Sequence, residues 1–343
     1  MPEAFVVRPR TAIPGGESIV SSPVAARKPA ALPPAMQPLA EFLDDPNTTD
    51  VFINPDQRLF VDKGAGPCAV DGWRATEQEV RALAVDLIAL GDRHIDDAHP
   101  CVDVRLGDGI RVHAVLPPIC VGGTALSIRI PRLDRPSLAD LQQSGMFSQA
   151  LRGRLDRLVD RRENVLITGA AGAGKTTLLG AMLSAVPATE RIITIEDVAE
   201  LRLSHPHHLR LESRQANLEG AGGVAMAQLV REALRMRPDR LVVGECRGPE
   251  IRELLSALNT GHDGGAGTVH ANSLDDVSAR LEALGALAGL DDVSLARQVT
   301  SAIACVIHVR RADDGQRRVE GIGRPVLAAS GRLAIEKVPW ADE

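Results

Sequence analysis

The sequence predicts a two-domain α/β protein whose larger, C-terminal domain is built on a parallel sheet. Three observations carry that expectation. The chain has 343 residues, about two domains on the usual size scale. Hydrophobic residues make up 44% of it, enough for real cores. The second half alternates short apolar strands, Val165–Thr168, Arg191–Glu196, Arg240–Gly244 and Gly267–His270, with helical stretches, the pattern of a parallel sheet covered by helices. With five Phe, two Trp and no Tyr, the cores must be made from Ala, Leu, Val and Ile.

Residues 1–35 are rich in Pro and Ala and predict a disordered tail, because they offer little apolar surface to offset ordering entropy. A smaller α/β domain is expected over 36–130. Leu39, Phe42 and Leu43 suggest a short helix, and Val51–Asn54 with Arg58–Val61 a hairpin around Pro55-Asp56. A helix over Glu77–Leu90 places Val80, Leu83, Leu87 and Leu90 on one face. Strands follow near Cys101–Leu106 and Arg111–Val115, joined by a Gly107-Asp108-Gly109 turn, and near Thr124–Ile130. Prolines and charges from 131 to 145 read as the interdomain linker. The second domain spans 146–343 and ends in helices near Leu274–Ala288 and Ser294–Ala304 and a hairpin turning at Asp313-Asp314-Gly315.

A net charge of −6 argues against a nucleic-acid partner, which calls for a basic field. No apolar run is long enough to span a bilayer, and no signal-peptide pattern opens the chain. Cys68, Cys101, Cys120, Cys246 and Cys305 are scattered and form no C-x-x-C pair. They read as buried, reduced thiols of a cytosolic protein, with neither disulfides nor zinc expected.

The most specific signal is Gly169-Ala170-Ala171-Gly172-Ala173-Gly174-Lys175-Thr176-Thr177. It matches G-x-x-x-x-G-K-[ST] and lies between a strand and a helix, as the motif requires. Glycines let backbone N–H groups converge on a phosphate, and the helix dipole favours negative charge there. Lys175 is placed on the β- and γ-phosphates of ATP and Thr176 on Mg²⁺. The second domain is therefore expected to be a RecA-like P-loop NTPase, with nucleotide at the strand C-termini.

Other segments supply what phosphoryl transfer to water needs, namely positioning and charge stabilisation. Ile192–Asp197 closes on carboxylates. Arg240–Glu245 resembles a Walker B strand in which Gly244 takes the usual aspartate's place. Glu196 and Glu245 are the candidates for orienting the attacking water and holding hydrated Mg²⁺. Thr260–Gly264 and Gly267–Asn272 form a glycine-rich stretch flanked by His262 and His270. His262 is grouped with the nucleotide-binding residues, and His270 is suited to sensing the γ-phosphate.

These motifs, in this order, resemble the ATPases of type II and type IV secretion systems. The Asp box is Ile195–Leu201, the Walker B segment Val243–Glu250, and the His box follows. Leu234–Arg240, Arg210–Arg214 and Arg111–Pro118 look most like the Tad/Flp pilus-assembly branch of the CpaF type, with a resemblance over about 38–320. It implies a PAS-like first domain and a hexameric ring motor with nucleotide between the domains. Glu196 would position the water, and Glu245 would act on Mg²⁺ through bound water. First-domain arginines would complete the site, Arg111 and Arg129 matching best and Arg105 and Arg132 less well. It further implies a polytopic inner-membrane partner and a cytoplasmic location, peripherally attached to the membrane. Where that family has bulkier residues, Gly264-Gly265-Ala266-Gly267 suggests a looser loop. A RecA-type nucleic-acid motor is a second reading, which DNA-stimulated, salt-sensitive turnover would reveal. A slow, nucleotide-gated scaffold is a third, and steady-state turnover decides it.

Overall fold

The computed structural model describes residues 32–131, 135–214 and 221–339. A 3-10 turn over Pro34–Leu39 runs into α1 (Ala40–Leu43). Then come β1 (Asp50–Ile53), β2 (Leu59–Asp62), β3 (Pro67–Ala69), α2 (Glu77–Ala89), β4 (Cys101–Arg105), β5 (Arg111–Val115) and β6 (Ala125–Arg129). The strands form an antiparallel sheet in the order β3-β2-β1-β6-β5-β4. Alternation gives it one apolar face, with Val51, Ile53, Val102, Val104, Val112, Ala114, Leu126 and Ile128 buried together. α2 covers that face with Val80, Leu83, Ala84, Leu87 and Ile88. It starts at a capping box in which Thr76 and Glu79 satisfy each other's backbone N–H groups. Leu90 was expected on the core face and is instead 41% exposed. Ten residues beyond Val80, the helical period carries it about a quarter-turn off that face.

The second unit adds α3 (Leu138–Gln143), α4 (Gln149–Asp160), β7 (Val165–Thr168), α5 (Lys175–Ser184), β8 (Ile192–Glu196), β9 (His208–Glu212), α6 (Met226–Leu234) and β10 (Arg240–Val243). It continues with α7 (Glu250–Leu258), β11 (Ala266–Val269), α8 (Val277–Leu287), α9 (Asp292–Ala302), β12 (Cys305–Arg311), β13 (Arg317–Leu327) and β14 (Leu333–Lys337). The sheet order is β14-β13-β12-β7-β11-β10-β8-β9. Pairing is parallel from β12 to β9 and antiparallel at β13 and β14. The central strands are buried on both faces, which is why they read as unbroken apolar runs. Leu166, Ile193, Ile195, Leu241 and Val243 face one core with α6 to α9. Val165, Ile167, Ile192 and Val242 face the other, with α3 to α5.

Several expectations need correction. Residues 1–31 of the expected tail lie outside the described residues, but the fold starts before 36. Pro34 opens a 3-10 turn that buries Met36 and Leu39; proline's fixed φ suits such a turn. Residues 132–134 of the expected linker are likewise outside the described residues. The rest of it is not a bare connection. Ser137 and Asp140 form a capping box on α3, whose Leu138 and Leu141 are buried in the second unit's core. Cys246 and Cys305 are buried thiols, whereas Cys68 and Cys101 are exposed. Cys68 sits on the exposed edge strand β3, and Cys101 on the open face of β4.

Candidate active site

Nucleotide chemistry in a parallel sheet belongs at the strands' C-terminal edge, and the strand order decides what meets there. β7, β11, β10 and β8 are consecutive neighbours. They deliver, side by side, the phosphate loop, His270, Gly244-Glu245 and Glu196. The spatial order differs from the sequence order because β10 and β11 are inserted between β8 and β7.

The phosphate loop has the backbone its glycines allow. Gly172 has φ 71° and Gly174 φ 100°, left-handed values that glycine adopts without strain. Gly169 packs so tightly that a Cβ there would strike the carbonyl oxygen of Val309. Gly174 is the N-cap of α5, and no side chain caps that end, so the first-turn N–H groups form the positive end of the helix dipole. Ala170, Ala171, Gly172 and Thr177 are exposed, Ala173 is buried, and Thr176 is half-buried in the first turn. Lys175 is buried, and its Nζ donates to the carbonyl oxygens of Gly169 and Ala170 at 2.9 Å each. Burial lowers its pKa, and the Glu245 charge opposes that shift.

His270 Nε2 lies 3.4 Å from Lys175 Nζ and 2.5 Å from Glu245 Oε1. A ring with its proton on Nε2, neutral or protonated, donates to Glu245; a neutral ring with its proton on Nδ1 accepts from Lys175. Burial, then the Lys175 cation, push His270 below its ordinary pKa, which favours the neutral ring. Glu245 Oε1 is buried and, beyond this short contact with His270, has no hydrogen-bond donor among the described residues. Glu245 Oε2 accepts from Arg247 at 2.6 Å, a bond that raises the Arg247 pKa. Sequence reasoning did not assign Arg247 to the site. Its signal was the arginine two residues after Glu245, in a turn held by Glu250, whose Oε1 accepts the N–H groups of Arg247 at 2.5 Å and Gly248 at 2.7 Å.

Glu196 is only 4% exposed. Its Oε1 accepts the N–H groups of Glu200 and Leu201 at 3.0 Å. Burial nonetheless pushes its pKa up to about 7, against these hydrogen bonds and the charge of Arg210. Gly244 now has a physical reason: a Cβ there would lie 2.5 Å from Glu196 Cγ. The missing Walker B aspartate leaves the space that the neighbouring strand's glutamate fills.

The first-domain arginines stand on the open face of its sheet. Arg105, Arg111 and Arg129 are cross-strand neighbours, and Asp50 continues the row. Arg111 lies 3.6 Å from Glu200 of the Asp box. Arg105 bonds Glu212 and the carbonyl of Ala199. Arg129 is exposed and, with Arg111, Asp50 and Asp103, lines a cleft of about 330 Å³. Arg105 and Arg111 thus meet the Asp box, and Arg132 is outside the described residues.

His262 must be removed from the site. It precedes β11, whose first residue pairs with Val165 at the start of β7, whereas Val269 pairs with Thr168 at its end. His270 is therefore level with the phosphate loop and His262 with the opposite edge, where its Nδ1 lies 3.2 Å from the Ala257 carbonyl oxygen. The nearby glycines do not loosen a phosphate-facing loop. Gly264 makes room for the Arg240 guanidinium, and Gly265 for Leu258 and the Leu241 carbonyl.

The residues present fit a nucleoside triphosphate with Mg²⁺. The uncapped helix end and glycine cradle suit phosphate, and the orphaned Glu245 oxygen calls for a cation or its bound water.

A family model described as "Type II/IV secretion system protein" matches residues 36–329. The chain is 46% identical over 310 residues to the putative conjugal transfer protein Rv3659c of Mycobacterium tuberculosis (strain ATCC 25618 / H37Rv), covering 89% of this chain and 88% of that protein. It is 31% identical over 288 residues to the type IV secretion system protein VirB11 of Brucella suis biovar 1 (strain 1330), covering 77% and 80%. Among solved structures, the pilus retraction motor PilT with bound ADP aligns with a TM-score of 0.59 at 22% identity, covering 90% of this chain and 83% of that one. The Legionella pneumophila ATPase DotB aligns with a TM-score of 0.57 at 20% identity, covering 87% and 81%. These two likenesses concern the fold. The chain belongs to the type II/IV secretion system protein family.

Proposed function

We propose that this member of the type II/IV secretion system protein family is an ATP-hydrolysing motor that works as a homo-oligomeric, hexameric ring. The convergence of Lys175, Glu245 and His270 from neighbouring strands carries the reading. ATP, when bound with Mg²⁺, supplies the phosphoryl group that passes to water. Lys175 leaves the Gly169 and Ala170 carbonyls to neutralise phosphate charge. Thr176 and Glu245 would hold the metal, the latter through its bound water. Glu196, with a pKa near the operating pH, takes the proton of the attacking water. His270 links Lys175 to Glu245 and reports the state of the γ-phosphate. Arg111 and Arg129 act as arginine fingers once Arg111 exchanges Glu200 for phosphate. The first unit, an antiparallel sheet with α2 on one face, is assigned as PAS-like.

Among the described residues no helix is long and apolar enough to cross a membrane. We assign the motor to the cytoplasm, held at the membrane by a polytopic inner-membrane partner. The system is assigned to the Tad/Flp pilus-assembly branch from the segments that resemble it. Conjugal transfer is the second reading, favoured by the 46% identical relative of that name. Purified protein should release phosphate from ATP only with Mg²⁺ and without stimulation by single-stranded DNA. Steep, salt-sensitive DNA stimulation would instead indicate the nucleic-acid motor. Deleting the gene and scoring surface pili against plasmid transfer separates the two secretion readings.

A further inference from the structure

The bonds from Lys175 to Gly169 and Ala170 cannot hold the phosphate loop once that ammonium turns to a phosphate. Ala170, Ala171 and Gly172 are exposed, so packing does not fix them either. Other hydrogen bonds at the loop are independent of the lysine. Ala173 N–H donates to the Ala170 carbonyl within the loop at 3.3 Å. From outside it, Arg317 Nε donates to the Gly172 carbonyl at 3.0 Å. Arg317 opens β13 and lays its stem across Gly174, where a Cβ would come within 3.0 Å of Arg317 Cδ. On the loop's other flank, Val309 of β12 backs Gly169. The β12–β13 hairpin therefore grips the phosphate loop at both ends. The same hairpin touches the first domain, where Arg311 donates to the Gly64 carbonyl at 2.6 Å.

We propose that Arg317 is a positioning residue for nucleotide, holding the phosphate loop open by its bond to the Gly172 carbonyl while Lys175 engages phosphate. A cation on that carbonyl also polarises the peptide, so the N–H of Ala173 on its far side becomes the stronger donor to the Ala170 carbonyl within the loop. The inference rests on the ATPase reading above. It goes beyond that reading in making nucleotide affinity depend on a hairpin 145 residues further along the chain.

The test measures Mg·ADP and Mg·ATP binding by calorimetry, and steady-state turnover, on the full chain. Arg317→Met keeps the stem and loses the donor, and should raise Kd and KM about tenfold with kcat within about twofold. Arg317→Lys retains a donor and should recover most of the affinity. Arg318→Ala is the control, because Arg318 bonds only Asp314 and Gln316 in its own hairpin among the described contacts; its Kd should match wild type. Unchanged affinity in Arg317→Met overturns the proposal, as does an equal loss in Arg318→Ala. So does a fall in kcat at unchanged KM. Wild-type protein that fails to bind Mg·ATP overturns the ATPase reading and this proposal together, whereas wild-type binding with an indifferent Arg317→Met overturns only the latter.

Discussion

The two edges of the parallel sheet carry similar side chains and treat them differently. At the N-terminal edge Arg240 is 3% exposed. It donates to Glu190 at 2.6 Å and to the Val159 carbonyl at 2.9 Å. Asn164 there donates to the Ala302 carbonyl and accepts the Gly265 N–H. Its buried unpartnered side-chain atoms, among the described residues, are the Nε groups of Arg162 and Arg191, on guanidinia that are otherwise bonded. At the C-terminal edge Lys175 rests on carbonyls of its own loop, Glu245 keeps a buried oxygen with no donor beyond His270 among the described residues, and Glu196 carries a pKa near 7. One edge closes its polar groups into structure. The other leaves charges poorly matched, and such a mismatch is what a charged ligand can relieve.

The contrast is most directly broken at Lys175. Lys175→Ala should abolish Mg·ATP binding or turnover, a loss of about 100-fold or more, while circular dichroism shows an unchanged fold; tight Mg·ATP binding by the variant would sink the assignment. Glu196→Gln should keep Mg·ATP binding and lose about 10²–10⁴ in turnover. The Glu196 pKa is raised, so at pH 6 it is mostly protonated and at pH 8 mostly a base. Wild-type kcat should therefore rise through pH 7 and level off above it, with Arg210 and Glu200 as the neighbouring charges. In the glutamine variant that limb should vanish from the pH–rate profile. The same raised pKa makes ionised Glu196 a folding cost that grows as pH rises from its ordinary carboxyl range through 7.

Arg240→Ala tests the closed edge. It leaves Glu190 with only the Arg162 guanidinium, 4.0 Å away, and should cost about 3 kcal/mol in denaturant unfolding, while the folded fraction keeps its KM for ATP. A large KM change there would show that the two edges are not separate in role. His262→Ala should be the mildest, with turnover within about twofold and stability within about 1 kcal/mol. A nucleotide-affinity loss in that variant would restore His262 to the site.

How much of this was legible in the sequence follows the same divide. β7, β8, β10 and β11 were visible because strands buried on both faces must be apolar throughout. β9 was not, because an edge strand with exposed Arg210 and Glu212 lacks that run. α3 was hidden by prolines that also read as linker, although Ser137 and Asp140 carried a capping signal. The phosphate loop, Glu196, Glu245 and His270 were readable because each follows a strand's C-terminal end. His262 was misplaced because adjacency in sequence hid that a strand of 13 Å or so lies between it and His270. Arg317 was invisible for the opposite reason: only the fold brings β13 against the loop. The role of Gly244 needed Glu196 on the neighbouring strand before it made sense.

The strand order also governs when the phosphate loop is assembled as the chain is made. β7 is flanked by β11 and β12, whose partners to it lie 101 and 140 residues further along. At ribosomal speeds, that separation is on the order of ten seconds during which Val165–Thr168 has neither neighbour. A nascent chain stopped before residue 305 lacks the strand that backs Gly169 and the arginine that holds Gly172. Stalled chains of increasing length should accordingly become protease-resistant around β7 only after β12 and β13 have emerged. The nucleotide loop is thus assembled only after β12 and β13 have been made, and a product that stops before them has no cradle with which to compete for ATP.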